Sequence, residues 1–287
     1  MHKTRSCGCK GSRSCYTCEN EFNIIKTNNL NIQNGKYIYC YKCNKAWPGW
    51  NVEDNPHENH EGEPIEYPGI YIDPDFLTEE EEQGLIEALD SMPWDLSQSG
   101  RRKQNFGPKC NFKKRKISLG NFNGFPINTK FVQDKFRSID MLNDYEVIEQ
   151  CSLEYAPEKG AHIDPHIDDC WIWGERIITV NLLADSVLTM TYNDKPNRYN
   201  LDCVKSYPSV LTERGKISTD NSNYHVKWLQ EGEIYPIVRI PMPKRSLLVI
   251  YGAARKETYH SRSATISNDS KINVKKCDIL KCKFKTC

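Results

Sequence analysis

The order of apolar and polar residues changes character twice along the chain. Between residues 67 and 93, a short apolar run is followed by a pattern with helical spacing, whose apolar positions share one face: Leu85, Ile86 and Leu89. Thr78 with Glu81 three residues later is the signature of a capping box, and Pro93 ends the pattern. We therefore predict a helix that flanks a sheet.

After residue 146 the apolar and β-branched residues come in short runs, broken by Pro, Gly and Asn. The expected strands span 147–155, 177–183, 186–192, 233–240 and 245–251. A polar insertion of roughly 193–231 interrupts them. Repeated short strands of this kind are typical of an antiparallel sandwich or jelly roll. The chain is thus predicted to be mainly β, with a jelly-roll core and flanking helices.

One histidine and one aspartate lie two residues apart behind the first of these strands. In a strand, His166 and Asp168 would point the same way. They could supply two ligands of the 2-His-1-carboxylate triad that holds non-haem Fe(II). His260, behind the last apolar strand, is the candidate third ligand, because the two ends of a jelly roll can meet at one mouth. An alternative is a metallohydrolase site in which Asp164, His166, Asp168 and Asp169 hold zinc or two metal ions.

Charge is balanced overall, at +1 for 287 residues, but it is unevenly distributed. Residues 101–116 carry eight basic side chains and no acid, interleaved with Phe106 and Phe112. Such a segment suits nucleic acid, an acidic protein surface, or an exposed loop, and the charge pattern leaves all three open. Residues 53–66 carry six acids and no Lys or Arg.

The chain has thirteen cysteines, no apolar run of 18 residues and no secretory signal at its start. We therefore expect an intracellular protein whose clustered cysteines bind metal. Two Cys-x2-Cys pairs, with two further cysteines ahead of them, predict a zinc module over residues 1–48 that uses four of six thiols: Cys7, Cys9, Cys15, Cys18, Cys40 and Cys43. The alternative is reduced thiols on a loosely ordered arm. Residues 49–66 are interpreted as an acidic linker, with His57 and His60 solvated.

Four sequence blocks, taken in order, resemble the AlkB-like Fe(II)/2-oxoglutarate dioxygenases, and most closely the branch of animal AlkB homologue four. The blocks begin with Cys7-Gly8-Cys9-Lys10-Gly11 and continue with Ser97-Gln98-Ser99-Gly100-Arg101, Asp164-Pro165-His166-Ile167-Asp168 and Gly252-Ala253-Ala254-Arg255.

The resemblance implies a double-stranded β-helix over residues 67–262, in which His166, Asp168 and His260 hold Fe(II) and Tyr155 lies near 2-oxoglutarate. It implies oxidative removal of an N-methyl group, with release of formaldehyde and succinate. The implied substrates are monomethyl-lysine of actin, with a role in actomyosin processes, and N6-methyladenine in DNA. Cytoplasmic and nuclear locations would follow. In this interpretation, a substrate lid would contain Arg101, Arg102, Lys103, Phe106 and Lys109.

The chain departs from the family after His260. The family places two arginines on its last strand, and the first pairs with the distal carboxylate of 2-oxoglutarate. By spacing, Lys271 falls at the first of these positions and Cys277 at the second. We interpret residues 263–287 as an atypical Lys- and Cys-rich tail, arising from an alternative or truncated C-terminus. A weak co-substrate site, and with it a non-catalytic binding protein, is the corresponding alternative function.

Overall fold

The structure is a computed structural model that describes residues 5–24, 35–52, 57–143, 145–192, 210–211, 217–218, 236–256, 258–263 and 274–282. The strands before the core are β1 (Lys36–Cys40), β2 (Lys45–Pro48), β3 (Ile65–Glu66), β4 (Ile70–Asp73), β5 (Asp95–Leu96), β6 (Arg102–Phe106), β7 (Lys109–Asn111) and β8 (Lys116–Ser118). They are followed by β9 (Val147–Tyr155), β10 (His162–His166), β11 (Ile177–Leu182), β12 (Ser186–Tyr192), β13 (Val210–Leu211), β14 (Ile217–Ser218), β15 (Ile237–Met242), β16 (Leu247–Ile250), β17 (Thr258–Ser263) and β18 (Val274–Cys282). The α-helices are α1 (Tyr16–Phe22), α2 (Glu79–Asp90), α3 (Lys130–Phe136), α4 (Cys170–Trp173) and α5 (Gly252–Lys256).

Two seven-stranded sheets form the body of the protein. The first sheet has the order β10-β17-β12-β15-β1-β2-β3, and the second has the order β4-β16-β11-β18-β9-β6-β5. From β9 onward the chain alternates between the two sheets, except that β12 and β15 are neighbours in the first sheet. Strands β9, β11, β16 and β18 therefore face β10, β12, β15 and β17. All neighbouring pairs among these eight strands are antiparallel. This is the double-stranded β-helix expected from the sequence.

Successive side chains of a strand point to opposite faces of its sheet, so the apolar side chains form two cores. Between the sheets, Ile177 and Ile250 pack with residues of the first sheet such as Leu188 and Ile240. Behind the second sheet, Ile178 and its neighbours pack against the helices. The helical side of this second core is formed by Leu85, Ile86, Leu89, Val132 and Phe136. The predicted helix is therefore confirmed, and its capping box between Thr78 and Glu81 is complete.

The N-terminal part of the chain differs from the predicted single Cys-rich module. Strand β1 pairs in parallel with β15, and β2 and β3 follow it at the edge of the first sheet. Residues 5–24 lie elsewhere, against the segment before β6, where the Ser99 amide donates to Cys9 Sγ over 3.2 Å. The predicted module is thus divided between two places, because residues 36–48 form strands that continue the core sheet.

Gly69 provides a test of the close packing beside β4. Its φ is +92°, and an added Cβ would collide with the Tyr251 carbonyl oxygen and lie 2.9 Å from the Ala254 nitrogen. We expect Gly69→Ala to lower the free energy of unfolding by at least about 2 kcal/mol. The strain of a side chain at positive φ and the overlap of its Cβ with backbone atoms both contribute to this loss. Urea denaturation measures this.

Gly84→Ala is the matched control, since Gly84 is an exposed position of α2 with open space around it. There the same substitution should raise the free energy of unfolding by roughly 0.5–1 kcal/mol, because alanine has a higher helix propensity than glycine. Equal effects at the two positions would contradict the described packing.

Candidate functional site

The three predicted metal ligands converge at one end of the first sheet. His166 ends β10 and is paired directly with His260 of β17, with ring centroids 4.3 Å apart. Asp168 lies 4.0 Å from His166 Nε2 and 3.6 Å from His260 Nε2 through its two carboxylate oxygens. The ligand atoms of the three residues all lie within 4.8 Å of one another. Two imidazoles and a carboxylate that approach from one side fit a facial triad with open positions.

A hydrogen bond fixes the ring of His166 in the orientation that a metal needs. Its Nδ1 lies 2.8 Å from the Asp164 carbonyl oxygen, which can only accept, so Nδ1 carries the proton. The lone pair of the neutral ring is then on Nε2, the nitrogen that points toward Asp168. His162 instead bonds the Gly160 carbonyl and lies outside the ligand group.

Asp168 is positioned by the segment that joins β10 to α4. Ile167 is buried, which leaves the residues on either side of it facing the site. Asp169 caps α4 by accepting from the Trp171 amide, so the strand gives way to a helix there. Arg255, which is 2% exposed, donates from Nη1 to the Asp168 carbonyl oxygen over 2.8 Å. The structure therefore gives Arg255 of the Gly252–Arg255 block a role in positioning Asp168.

A cavity of about 220 Å³ opens beside the three ligands. Its wall includes Tyr155, which is fully buried, and the guanidinium of Arg101 lies 5.7 Å from the centre of that ring. Among the residues that the structure describes, Arg101 and Lys103 are the cations of this wall. Arg101 is only 7% exposed and therefore lines the inner cavity, although the sequence placed it on a lid.

Arg102 corrects another part of the predicted lid. It makes a two-pronged ion pair with Glu154, at 2.6 Å for both contacts, and lies over the Trp94 ring. Residues 101 and 102 follow each other in an extended segment, so their side chains leave it on opposite faces. Arg102 thus lies on the outer face of the second sheet, away from the cavity.

The other predicted lid residues lie along a wide groove that leads to Asp168. The groove has a volume of about 1580 Å³, and Lys103, Phe106 and Lys109 line it. Phe112 contributes to it and contacts the Trp173 ring at 6.1 Å, edge to face. The groove therefore offers cations and aromatic faces together, with Asp168 and Asp169 among its acidic residues.

The predicted co-substrate cation Lys271 lies outside the described residues. Strand β18 starts after it and lies between β9 and β11 in the second sheet. Cys277, at the second predicted position, falls within this strand, where it pairs with Ser152 of β9 and Val180 of β11.

The six N-terminal cysteines form two groups, which corrects the prediction that the two Cys-x2-Cys pairs share one site. The first group, called the four-cysteine cluster below, contains Cys7, Cys9, Cys15 and Cys18, with their sulfur atoms within 4.8 Å of one another. Burial raises the pKa of the Cys9 thiol to about 12, so that it is neutral until a cation displaces its proton.

Cys40 and Cys43 form the second group with two histidines that the sequence analysis took as solvated. His57 and His60 lie within 4.8 Å of these sulfur atoms. Thirteen residues separate Cys43 from His57, a spacing within the range of zinc sites that combine two cysteines with two histidines, but only two residues separate His57 from His60, where that motif has three to five. The sequence signal was therefore incomplete, and the fold brings the four residues together.

Within the described part of the chain, no helix is long and apolar enough to cross a membrane.

Sequence comparison finds relatives that align with two thirds or more of this chain. No family model matches it. The human protein named alpha-ketoglutarate-dependent dioxygenase alkB homolog 4 is 38% identical over 258 residues, which are 90% of this chain and 80% of the human protein. The Caenorhabditis elegans protein named DNA N6-methyl adenine demethylase is 35% identical over 210 residues, or 67% of this chain and 72% of the other. The solved structure of OsALKBH1 matches with a TM-score of 0.42 and 9% identity, over 75% of this chain and 97% of its own.

Arg255 allows the geometry of the ligand triad to be tested. A shorter cation at this position loses the bond to the Asp168 carbonyl, so Arg255→Lys should weaken Fe(II) binding by about tenfold. Anaerobic calorimetric titration with Fe(II) measures the change. Arg102→Lys, on the outer face, is the control and should bind iron like the unaltered chain. Unchanged iron affinity in folded Arg255→Lys would show that the bond does not position Asp168.

Proposed function

Because the chain belongs to the alkB homolog 4 family of alpha-ketoglutarate-dependent dioxygenases, we propose that it removes N-methyl groups oxidatively, with Fe(II) and 2-oxoglutarate. The observation that carries the proposal is the convergence of His166, Asp168 and His260 beside a cavity of about 220 Å³. The chemistry that iron and 2-oxoglutarate supply when bound is hydroxylation of the methyl carbon by O2, coupled to decarboxylation of 2-oxoglutarate to succinate. The N-hydroxymethyl group then leaves as formaldehyde.

The residues of the cavity support binding of a small dicarboxylate beside the metal. Its volume of about 220 Å³ is below the roughly 300–1,000 Å³ of sites for drug-sized ligands. Arg101 brings a fork of N–H donors into a site with little exposure, where a charge-assisted pair with a carboxylate is strong. We propose that Arg101 neutralises the distal carboxylate of 2-oxoglutarate, in place of the arginine of the family's last strand.

The groove supports N6-methyladenine in DNA as the first candidate substrate. Lys103, Lys109 and Lys116 line it and could contact phosphates, while the exposed Phe112 offers a ring face to a base. The relative from C. elegans is named for this activity. DNA as substrate would place the chain in the nucleus.

Monomethyl-lysine of actin, or of an actomyosin-associated protein, is the second candidate. The observation that favours it is the acidic inner end of the groove, where Glu149 and Asp169 stand beside Asp168. A methylated ammonium would be attracted there, whereas an adenine carries no charge to match. Activity on actin would place the chain in the cytoplasm.

We also propose that the four-cysteine cluster holds structural zinc. Four thiols in one cluster complete a tetrahedral set, and such sites are closed to substrate. The cluster lies against residues 97–100, which lead into Arg101, and the Ser99 carbonyl accepts from the His162 amide at the start of β10. Zinc there would brace two segments that enter the cavity wall.

Turnover of 2-oxoglutarate tests the proposed reaction. The purified chain, loaded with Fe(II) and given O2 and ascorbate, should produce succinate, and His166→Ala should abolish it because a ligand is lost. His162→Ala is the control from the same strand and should retain turnover. Activity that does not need 2-oxoglutarate would favour a metallohydrolase. No succinate from folded, iron-loaded protein would favour a binding protein.

Formaldehyde release identifies the substrate. A DNA duplex with N6-methyladenine and an actin peptide with monomethyl-lysine are compared with their unmethylated forms. Methyl-dependent formaldehyde from DNA supports the first candidate, and formaldehyde from the peptide supports the second.

Two neighbouring arginines test the co-substrate site. Arg101→Gln should raise the KM for 2-oxoglutarate by about tenfold or more, since a lost charged hydrogen bond costs roughly 1.5–3 kcal/mol. The matched control is Arg102→Gln, because Arg102 pairs with Glu154 and lies outside the cavity. If the KM stays unchanged in Arg101→Gln, other groups bind the carboxylate.

A further inference from the structure

A third group of potential metal ligands lies at the opposite edge of the first sheet from β10. Cys40 ends β1 and Cys43 lies in the turn before β2, while His57 and His60 lie on a short 3-10 turn, His57–Asn59, and just after it. Cys40 Sγ is 3.3 Å from His57 Nδ1, and Cys43 Sγ is 3.7 Å from His60 Nε2. All four donor atoms lie within 4.8 Å of one another.

These separations match those across a tetrahedral zinc ion. Zn–S bonds of about 2.3 Å and Zn–N bonds of about 2.0–2.1 Å place sulfur and nitrogen about 3.6 Å apart at tetrahedral angles. The two observed sulfur–nitrogen distances lie on either side of that value. Two thiols and two imidazoles are ligands that suit zinc, whereas magnesium and calcium prefer oxygen.

The surroundings of the four side chains hold them in place. Asn44, with φ of +57°, turns the chain after Cys43, and its amide donates to the Cys40 carbonyl over 2.8 Å. Trp47 donates from Nε1 to Cys43 Sγ over 3.3 Å and stacks on the His60 ring, with centroids 4.4 Å apart. Contacts of this kind orient metal ligands in known sites.

The ion pair between the two segments is weak. Lys42 and Glu58 lie 3.5 Å apart, but both side chains are more than half exposed, and such pairs contribute little. A metal ion bound by both segments would join them far more strongly. We propose that Cys40, Cys43, His57 and His60 bind a structural zinc ion that fastens residues 57–60 onto the β1–β2 hairpin.

With four protein ligands the site has no open position, so its role is to stabilise the edge of the sheet. The hairpin pairs with β15 through β1, and β3 then pairs with β2. Zinc would therefore hold residues 57–66, which include β3, against β1 and β2 at the edge of the first sheet. This role is independent of the proposed catalytic reaction.

Metal analysis of the full chain tests the proposal. The measurements use a His166→Ala background, because zinc can also occupy the iron ligands. We expect about two zinc ions per chain when both cysteine groups are filled. His57→Ala with His60→Ala should lose about one of them, and Cys15→Ser with Cys18→Ser should lose the other. Cys110→Ser, a thiol outside both groups, is the control and should lose none.

Cobalt substitution identifies the ligands even if the alanine variant folds poorly. Exchange of His57→Cys with His60→Cys should restore the bound metal and move the d–d bands of Co(II) to longer wavelength, because sulfur replaces nitrogen. The proposal is overturned if the alanine pair keeps the full zinc content, or if the cysteine pair leaves the Co(II) spectrum unchanged.

Discussion

The register between β10 and β17 is the constraint on which the functional site depends. It sets His166 opposite His260, and the buried Ile167 between His166 and Asp168 keeps both ligands on the same side. A shift of one residue would turn one ligand away from the others. The register is reinforced from both neighbours, because β17 also pairs with β12 over five residue pairs. The metal ligands therefore take their positions from the hydrogen bonds of the sheet, and Arg255 adds a bond to the one ligand that lies beyond a strand.

The same alternation distinguishes neighbouring cations that have similar sequence surroundings. Arg101 enters the cavity and Arg102 pairs with Glu154 on the outside. A basic run is therefore an incomplete description of this chain, since Arg101 serves the cavity while its neighbour Arg102 serves the exterior of the sheet.

Much of the fold could be predicted from local pattern. The bounds of β9 and β12, the capping box of α2 and the jelly-roll class all follow from periodicity and turn residues. The His-x-Asp pair was visible because its two members are close in sequence. The partners of Cys40 and Cys43 were not found, because a metal site depends on which segments the fold brings together. Arg101 was assigned to a lid for a similar reason: its burial depends on Tyr155, which comes more than fifty residues later.

The parallel pairing of β1 with β15 makes the N-terminal part inseparable from the catalytic body. A fragment that begins at Tyr67 would contain His166, Asp168 and His260, yet it would leave the hydrogen-bonding edge of β15 uncovered. That edge belongs to an apolar strand, with Val238 and Ile240 fully buried. Uncovered apolar edges recruit strands from other molecules and lead to aggregation. The smallest soluble unit of this protein therefore includes its first hairpin, even though no residue of that hairpin lines the cavity beside the iron ligands.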